Sequence, residues 1–404
     1  MMRLDYGVTR APARLIFGPG QRRAIGTAAA SLGKRALICT DARFGALPIM
    51  QEILKDLAEQ GVQTQLYSET EAELPLESIL ACVDRYRDFA PDVLIGIGGG
   101  SCVDLAKLVS LLLVHSAPLS QYYGEFKVPG PILPVIAVPT TSGTGAEVTP
   151  VAVLGDPALT MKVGISSPEL IPHTAICDPE LTLTCPKGLT AISGADAMAH
   201  AIEAFAATTR QADPAMAMTR VFVGKNVLSD HYALTAIKLI YSNLRRATSE
   251  GGDLDARTAV MLGSTYAGLA FGSAGTSAAH AIQYPIGAMT STAHGLGIGI
   301  LLPYTMAFNL PVAAADYAEI GRAIGVASAG DADEDAAKAA IEAIRALFAE
   351  VSIPVSLRAI GIDDAHIEDI STLSMNAKRL VENNPRPLDP SAIKGILAAA
   401  MQAE

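Results

Sequence analysis

One carboxylate and three imidazoles in the second half of the chain could together bind a metal ion. Asp196 and His200 are four residues apart in GLTAISGADAMAHAIEAF, so an α-helix would present both from one face. His280 and His294 follow in AGTSAAHAIQYPIGAMTSTAHGLGIGI, again among small and apolar residues. This donor set suits a borderline divalent metal such as Fe²⁺ or Zn²⁺. The sequence therefore predicts one metal site built from four side chains.

A plainer interpretation stays open for each of these residues taken alone. Buried histidines are often hydrogen-bonded core residues, and Asp196 could be a carboxylate near a helix start with no metal. We assign only this structural role to the remaining histidines, which are His115, His173, His231 and His366.

A glycine-rich segment, GIGGGSCVD (96–104), follows an apolar strand and opens a helix. Free N–H groups and the macrodipole at a helix start bind anions, and glycines let a phosphate approach the backbone. Ser101 is placed to cap this helix. The third position of the fingerprint GxGxxG is here Ser101, and no GxxxxGK[ST] sequence is present. We predict a phosphate-binding loop, with a tight strand–helix turn that binds nothing as the alternative.

A second polar segment, VPTTSGTGAEVTP (138–150), follows another apolar strand. Ligands of α/β sheets bind at the carboxyl ends of strands, and Thr140, Thr141 and Thr144 would lie at such an end. Their hydroxyls could contact ribose, phosphate or a nicotinamide amide. A solvated turn explains the composition almost as well.

The elements that must position these segments change in type near residue 187. Apolar strands alternate with helical segments before it, which indicates βαβ units and a mostly parallel sheet, whereas Ala-rich helices dominate after it. We predict an α/β domain at 1–187 with Rossmann-like nucleotide binding, then an all-helical metal-binding domain at 188–404. The predicted strands lie in 14–21, 35–41, 62–68, 92–101 and 134–141, and the predicted later helices are 194–208, 230–248, 255–271, 277–286, 297–310, 314–326, 334–350 and 391–402.

Composition restricts the class of protein and its partners. The chain has 404 residues, half of them hydrophobic, which suits two domains with large cores. A net charge of −11 argues against a nucleic-acid or anionic-membrane partner. Five scattered cysteines without a CxxC pair fit a reducing cytoplasm. With no signal-peptide h-region and no run long enough to span a membrane, we expect a soluble cytoplasmic protein.

Together these segments resemble the iron-containing, or group III, alcohol dehydrogenases. The motifs GIGGGSCVDLAK, VPTTSGTGAEVTP, ICDPELTLTCP, TAISGADAMAHAIEAF, HAIQYPIGAMTSTAHG and ILLPYTMAFN recur in the family's order across roughly residues 14–310. The resemblance implies a dehydroquinate synthase-like architecture, in which the active site lies in the cleft between an α/β nucleotide-binding domain and a helical metal domain. It also implies a homodimer.

The same resemblance implies roles for individual residues. A carboxylate at Asp41, beneath the adenine ribose, accepts hydrogen bonds from a free 2′-hydroxyl and repels a 2′-phosphate, so NAD is favoured over NADP. We place Asp104, from the glycine motif, in the same cofactor site. The resemblance further implies pyrophosphate binding at Gly98, Gly99, Gly100 and Ser101, cofactor contacts at Thr140, Thr141, Thr144 and Lys162, and metal ligands at Asp196, His200, His280 and His294, with Fe²⁺ as the first expectation and Zn²⁺ as the second.

Two features depart from the family pattern. Many members carry a further histidine four residues after the third ligand, near the substrate, where this chain has Tyr284. A phenol can donate a hydrogen bond but does not titrate near neutrality. The connection 208–230 is also longer than expected, and it could shape the substrate entrance or a subunit contact.

The predicted activity is metal-dependent hydride transfer between NAD(H) and a small alcohol, aldehyde or ketone. Phe271, Tyr284 and Met289 are expected near the substrate, and they favour a small alcohol over a multiply charged acid. A hydroxyacid–oxoacid transhydrogenase and a maleylacetate-type reductase are alternatives on the same scaffold. A sugar-phosphate cyclase is a more distant alternative that the scarcity of Lys and Arg in the cleft segments disfavours. A non-catalytic nucleotide-binding structural protein is the remaining alternative.

Overall fold

The structure, a computed structural model, describes residues 6–159 and 162–402. Its strands are β1 Arg14–Phe17, β2 Arg35–Cys39, β3 Gln63–Tyr67, β4 Val93–Gly98, β5 Gly124–Glu125, β6 Val135–Pro139, β7 Val151–Gly155, β8 Lys162–Ser166 and β9 Thr174–Cys177. Its helices are α1 Ile25–Ala30, α2 Ala42–Gly45, α3 Pro48–Glu59, α4 Leu76–Tyr86, α5 Gly100–Val114, α6 Lys187–Phe205, α7 Met216–Thr219, α8 Val227–Ser249, α9 Leu254–Ala274, α10 Ala278–Thr290, α11 His294–Ala323, α12 Asp333–Glu350, α13 Ile367–Ser374, α14 Lys378–Asn383 and α15 Pro390–Gln402.

The main sheet is parallel throughout, with strand order β1-β9-β6-β4-β2-β3. The order in which the chain adds strands to the sheet reverses at the boundary between β2 and β4. The chain places β3 on the outer side of β2 and then returns to place β4 on the inner side of β2. Loops on the two sides of such a boundary diverge and leave a crevice at the carboxyl ends of the strands. Asp41 follows β2 and the glycine loop follows β4, so both lie at this crevice.

Burial of both sheet faces explains why the central strands are continuous apolar runs, without alternation of apolar and polar residues. All six residues of β4 are buried, because helices cover the sheet on both faces. On one face α5 packs directly on β4, where a Cβ at Gly96 would lie 2.9 Å from the Cα of Val103. The glycine therefore permits a helix–sheet distance that brings the start of α5 to the sheet's carboxyl edge.

The second part of the described chain is helical, and α6 lies at its centre among α8, α9 and α11. Small side chains on α6 allow this close packing; an added Cβ at Gly194 would lie 2.2 Å from the Cδ1 of Leu244. The core here is built mainly from alanine, isoleucine and leucine. A smaller cluster packs β9 against α9, and its members are Val148, Ala175, Cys177, Met261 and Leu269.

The predicted fold class is confirmed, and the five predicted strands and the long helices are present. The sequence analysis missed β9, which lies inside the main sheet, and a separate three-stranded sheet with order β5-β8-β7. Two predicted helices, 297–310 and 314–326, are one element, α11, with a kink at Ala313. The division into domains at residues 187 and 188 stays a prediction, although the last described strand ends at Cys177 and α6 begins at Lys187.

Helix α11 also corrects the expectation that no segment is long enough to span a membrane. By length and composition this helix alone, among the described residues, could do so. Pro311 lies at the boundary between the two predicted helices and just before the kink at Ala313, while Pro303 lies within the first of them. However, 61% of its apolar window is buried inside the protein, as in the core helix of many soluble proteins. The helix is therefore weak evidence for membrane insertion.

Candidate active site

A cavity of about 460 Å³ lies between the carboxyl edge of the parallel sheet and the helices α6 and α10. Such a concave site with convergent polar groups is where an active site is expected. Every predicted cofactor and metal residue lines it except Gly98, which is the last residue of β4. The residues in question are Asp41, Gly99, Gly100, Ser101, Asp104, Thr140, Thr141, Thr144, Lys162, Asp196, His200, His280 and His294, and Tyr284 also lines the cavity.

The four predicted metal ligands surround one carboxylate oxygen. The Oδ1 atom of Asp196 lies 3.7 Å from the Nε2 atoms of both His280 and His294, and 3.9 Å from Nε2 of His200. These separations are too long for hydrogen bonds. Two ligand atoms that share a tetrahedral ion at about 2.1 Å are about 3.4 Å apart, which is close to the observed spacing. Asp196, His280 and His294 are therefore spaced to share an ion, whereas His200 lies near Asp196 but outside this mutually close group.

Unsatisfied buried atoms give an independent test of whether this site fits a metal. Oδ1 of Asp196 and Nε2 of His280 are both buried and have no hydrogen-bond partner. A buried carboxylate without partners is costly unless a cation compensates its charge. Asp196, His280 and His294 also form a group whose ligand atoms all lie within 4.8 Å of one another. The donor set therefore fits a divalent cation, which would compensate the charge of the buried Asp196 carboxylate.

Burial also keeps the histidines in the form that binds metals. It lowers the pKa of His200 to about 4, and it lowers the pKa of His294 well below its ordinary value. Both imidazoles are therefore neutral near pH 7, with a lone pair available. Nδ1 of His200 lies 3.3 Å from the carbonyl oxygen of Gly143, which favours the tautomer with the lone pair on Nε2.

Sequence reasoning missed Glu203, which orients His280. Its Oε2 lies 2.6 Å from Nδ1 of His280 and accepts the N–H of Ser277, while its Oε1 accepts the N–H of Ala279. Burial alone would raise the pKa of Glu203, but His280 and the two N–H groups lower it below the usual value. The ionised carboxylate thus holds the proton of His280 on Nδ1 and leaves Nε2 for the metal. Its position seven residues after Asp196, on the same helix face, was the available signal.

Phe271 forms the apolar wall beside the metal ligands. Its ring stacks on that of His200, with centroids 4.2 Å apart and an interplanar angle of 16°. The ring of His200 in turn lies 4.7 Å from that of His280. The stacking fixes the orientation of the imidazoles and excludes water from one side of the site.

The glycine loop forms the opposite wall and presents the start of α5. Gly98 has φ of +151°, and an added Cβ would lie 2.5 Å from Sγ of Cys102. At Gly100 a Cβ would lie 2.7 Å from the side chain of Thr144. Gly99, not Ser101, is the N-cap residue, so the expectation that Ser101 caps α5 is wrong. A glycine cap has no side chain to satisfy the first N–H groups, which leaves them for an anion.

The side chain of Asp41 lies at the rim of this loop, and its two carboxylate oxygens have different surroundings. Its Oδ1 accepts the N–H of Phe44 and caps α2. Its Oδ2 lies near the loop, 4.0 Å from Sγ of Cys102. One carboxylate oxygen thus remains available at the crevice where a dinucleotide's ribose is expected.

Two other predicted cofactor residues have partners within the protein. Asp104 accepts the N–H of Val153 and lies 3.6 Å from Nζ of the buried Lys107, although its Oδ1 has no hydrogen bond. Lys162 forms an ion pair with Glu73 across the cavity wall. Both residues line the cavity, and their roles toward a cofactor stay predictions.

The substrate-facing residues are partly as expected. Tyr284 and Phe271 line the cavity, and the ring centroid of Tyr284 lies 6.1 Å from that of His294. Burial raises the pKa of Tyr284 above its ordinary value, so it remains a phenol. Met289 does not line the cavity and is 39% exposed, because α10 turns its second half outward. The connection 208–230 contributes Phe222 to the wall, which supports its expected role at the entrance.

The expectation of a cleft poor in basic residues also needs correction. Arg379, from α14, lines the cavity beside Tyr284, and Arg43 lies at its rim. Arg43 lies two residues after Asp41, and α14 reaches the site from the C-terminal part of the chain, beyond the segments that carry the family motifs. No spacing pattern in NAKRLVENNPR distinguishes this arginine from a surface residue.

We predict that Glu203→Gln weakens metal binding about 10-fold to 100-fold, because a neutral amide no longer fixes the tautomer of His280. Titration of the metal-free protein against a competing chelator measures the dissociation constant. Glu52→Gln, an exposed position on α3, is the control and should leave the constant unchanged. Equal metal affinity for the Glu203→Gln variant and the wild type would show that Glu203 does not orient the ligand.

Comparison with protein-family models matches nearly the whole chain. Residues 12–179 match the iron-containing alcohol dehydrogenase model, and residues 190–401 match the model described as Fe-containing alcohol dehydrogenase family, C-terminal. The two matches meet at the junction between the sheet and α6.

Curated relatives and solved structures agree with this assignment. The NAD-dependent methanol dehydrogenase of Bacillus methanolicus is 31% identical over 96% of this chain and 98% of its own length. The sulfoacetaldehyde reductase of Bilophila wadsworthia (strain 3_1_6) is 32% identical over 92% of each chain. The crystal structure of a 1,3-propanediol oxidoreductase superposes with a TM-score of 0.91 at 29% identity, over 98% of this chain and 100% of the other. This chain belongs to the iron-containing alcohol dehydrogenase family and is an NAD- and metal-dependent oxidoreductase of alcohols and aldehydes.

Proposed function

We propose that the cavity carries out hydride transfer between NAD(H) and a short alcohol or aldehyde, with Asp196, His200, His280 and His294 holding one divalent metal. Fe²⁺ is the first expectation for that metal and Zn²⁺ the second. The observation that carries this proposal is the buried Oδ1 of Asp196, which faces three imidazoles and has no hydrogen-bond partner.

The net reaction converts an alcohol and NAD⁺ into a carbonyl compound, NADH and a proton. A divalent metal in this donor set supplies Lewis acidity toward an oxygen atom, and the nicotinamide accepts or donates the hydride. The protein's own residues must hold the reactants in line and exclude water. Across the cavity from the histidines, the loop 98–101 offers N–H groups to a pyrophosphate.

Buried polar atoms without hydrogen-bond partners line the part of the cavity where the cofactor would bind. Besides the metal donors, buried oxygens of Thr70, Asp104, Thr140 and Thr149 line the cavity without hydrogen bonds. Such groups are rare in folded proteins unless a ligand or water satisfies them. Their cluster along the sheet's carboxyl edge supports a polar cofactor lying between the glycine loop and the metal donors.

Three alternative functions are less well supported. A hydroxyacid–oxoacid transhydrogenase or a maleylacetate-type reductase would use the same donor set. The transhydrogenase would keep the nicotinamide bound and pass hydride from a hydroxy acid to an oxo acid. A nucleotide-binding protein without catalysis would have no use for a carboxylate buried among three imidazoles. The pairing of Glu203 with His280 also supports a working site, because it orients a ligand donor.

We also propose a homodimer in the cytoplasm without a membrane partner. β1 is an edge strand of the main sheet, and Leu15 on it is 40% exposed, which leaves a pairing surface for a second copy. All five cysteines are buried and unpaired, which suits a reducing compartment. Light scattering coupled to size exclusion measures the mass, and a monomer at micromolar concentration would contradict the dimer.

We expect chelation to abolish NAD⁺ reduction with short alcohols and diols, and added Fe²⁺ to restore it, because the substrate oxygen needs the Lewis acid. Elemental analysis should find about one metal per chain in the wild type and less than about a tenth of that in His280→Ala, because breaking the donor set leaves the ion underbound. His231→Ala, an exposed histidine on α8, is the matched control and should keep its metal. Full activity of the metal-free enzyme would refute the proposal.

We expect Asp41→Ser to reduce the preference for NADH over NADPH by about 10-fold or more, because it removes the charge that repels a 2′-phosphate. Serine retains a capping oxygen for α2, so the helix start is preserved. Nicotinamide fluorescence measures both dissociation constants, and the absence of tryptophan keeps the protein background low. Asp84→Asn, an exposed site on α4, serves as control. An unchanged ratio of the two constants would remove Asp41 from the ribose site.

A further inference from the structure

A second cavity, of about 780 Å³, adjoins the active-site cavity on the side of α14. The two share part of their walls, including Tyr284 and Arg379. The exposed Arg220 and Lys378 line the second cavity, and together with Lys162 and Arg379 they outnumber its acidic residue, Glu125. A route from solvent to the metal donors through the second cavity therefore passes Arg379.

The guanidinium of Arg379 has no anionic partner among the described residues. Its Nη1 is buried and makes no hydrogen bond, and its Cζ lies 4.1 Å from the centroid of the Phe222 ring. Glu125 and Glu203 act on Arg379 electrostatically but from a distance. Glu125 accepts a hydrogen bond from the N–H of Val221, and Glu203 accepts hydrogen bonds from His280 and its neighbours. A cation stacked on an aromatic ring is held in place, but its donors remain free.

Structural arginines in this protein are arranged differently. Arg257 is 3% exposed, and its Nε, Nη1 and Nη2 donate to the Gly251 carbonyl, the Thr190 hydroxyl and the Cys185 carbonyl. Arg210 has one buried nitrogen without a partner, but it lines neither cavity. An unpartnered guanidinium nitrogen inside the catalytic cavity is thus particular to Arg379, among the described residues.

Hydrogen bonds hold the segment that carries Arg379 against the metal site. The side chain of Asn383, at the end of α14, donates to the carbonyls of Ala274 and Thr276 just before α10. Asn384 and Asn309 then exchange two hydrogen bonds of 2.8 and 2.9 Å. Since α10 carries His280 and Tyr284, the guanidinium is fixed relative to the metal donors. A group fixed in this way binds its ligand with little loss of conformational freedom.

We propose that Arg379 binds a carboxylate or sulfonate group at the far end of the substrate, so that the enzyme acts on short aldehydes and alcohols that carry one negative charge. This inference rests on the proposed hydride transfer and specifies its substrate class. A guanidinium donates two parallel hydrogen bonds to either oxyanion, and burial strengthens the interaction. The donor that lacks a partner in the protein obtains one from the substrate.

The role proposed for Arg379 leaves the hydride transfer at the aldehyde end of the substrate unchanged. In reduction, NADH delivers a hydride to the carbonyl carbon, the carbonyl π pair becomes a lone pair on oxygen, and that oxygen takes a proton from solvent. NADH is oxidised to NAD⁺ and the aldehyde is reduced to the alcohol. The oxyanion held by Arg379 takes no part in the electron transfer and serves only to orient the molecule.

The test compares aldehydes of equal shape and different charge on the metal-loaded enzyme. 4-Oxobutanoate and 4-methylpentanal have the same heavy-atom skeleton, with a carboxylate in the first and an isopropyl group in the second. We expect the wild type to favour 4-oxobutanoate in kcat/KM, and Arg379→Gln to lower the ratio of the two values by about 100-fold. A partial loss of folded enzyme cancels in this ratio. Arg379→Lys keeps the charge without the planar guanidinium, so its kcat/KM ratio should lie between those of the wild type and Arg379→Gln.

Further measurements separate this inference from the proposed function. 2-Sulfoethanal and 3-oxopropanoate, which differ only in the acidic group, distinguish a sulfonate from a carboxylate as the preferred group in the same assay. Calorimetric titration with propane-1-sulfonate, which cannot be oxidised at a hydroxyl, should show binding about 10-fold weaker or more in Arg379→Gln. Arg358→Gln, an exposed arginine paired with Asp364, is the matched control for the lost charge.

Each outcome decides one of the two claims. A wild-type preference for 4-methylpentanal, or an Arg379→Gln ratio equal to that of the wild type, overturns the role of Arg379 and leaves hydride transfer intact. Absence of hydride transfer with every aldehyde overturns the proposed function, and the propane-1-sulfonate titration then decides alone whether Arg379 binds an oxyanion.

Discussion

The buried carboxylate of Asp196, surrounded by three imidazoles at distances too long for hydrogen bonding, is the constraint on which the active site depends. Burying such a group costs free energy, which a cation at the same place would offset. The helices are arranged to meet this need: α6 supplies Asp196 and His200, while α10 and α11 each supply one histidine from their first turns. Glu203 is not one of the metal donors, but its hydrogen bond to Nδ1 of His280 fixes the tautomer of that histidine.

The sheet fulfils a complementary requirement for the cofactor. Parallel strands end at one edge, and the reversal of chain direction between β2 and β4 opens a crevice there. Gly96 lets α5 approach the sheet, and Gly98 and Gly100 remove side chains from the space in front of its first N–H groups. Because β9 packs on α9, the nucleotide crevice and the metal donors face one cavity. A short alcohol held between the glycine loop and the metal donors would direct its reacting carbon toward a bound nicotinamide and its oxygen toward a metal held by these donors.

Local sequence signals account for the features that were predicted correctly. The i, i+4 spacing of Asp196 and His200, the glycines after a buried strand, and the alternation of strands and helices are all short-range patterns. Features that depend on tertiary contacts were not predictable in this way. The cap of α5 was assigned to Ser101 because serine is a good cap, but a free helix start at Gly99 serves anion binding better. Arg379 reaches the cavity through the packing of α14 on α10, and no pattern in its own segment shows this.

The location of the bound metal tests the central claim most directly. Crystals of the iron-loaded protein, measured at the iron absorption edge, would give an anomalous difference map that shows only the metal. The account predicts one peak per chain, about 2.0–2.2 Å from a carboxylate oxygen of Asp196 and from Nε2 of His200, His280 and His294. A peak elsewhere, or full occupancy of iron without contact to Asp196, would contradict it.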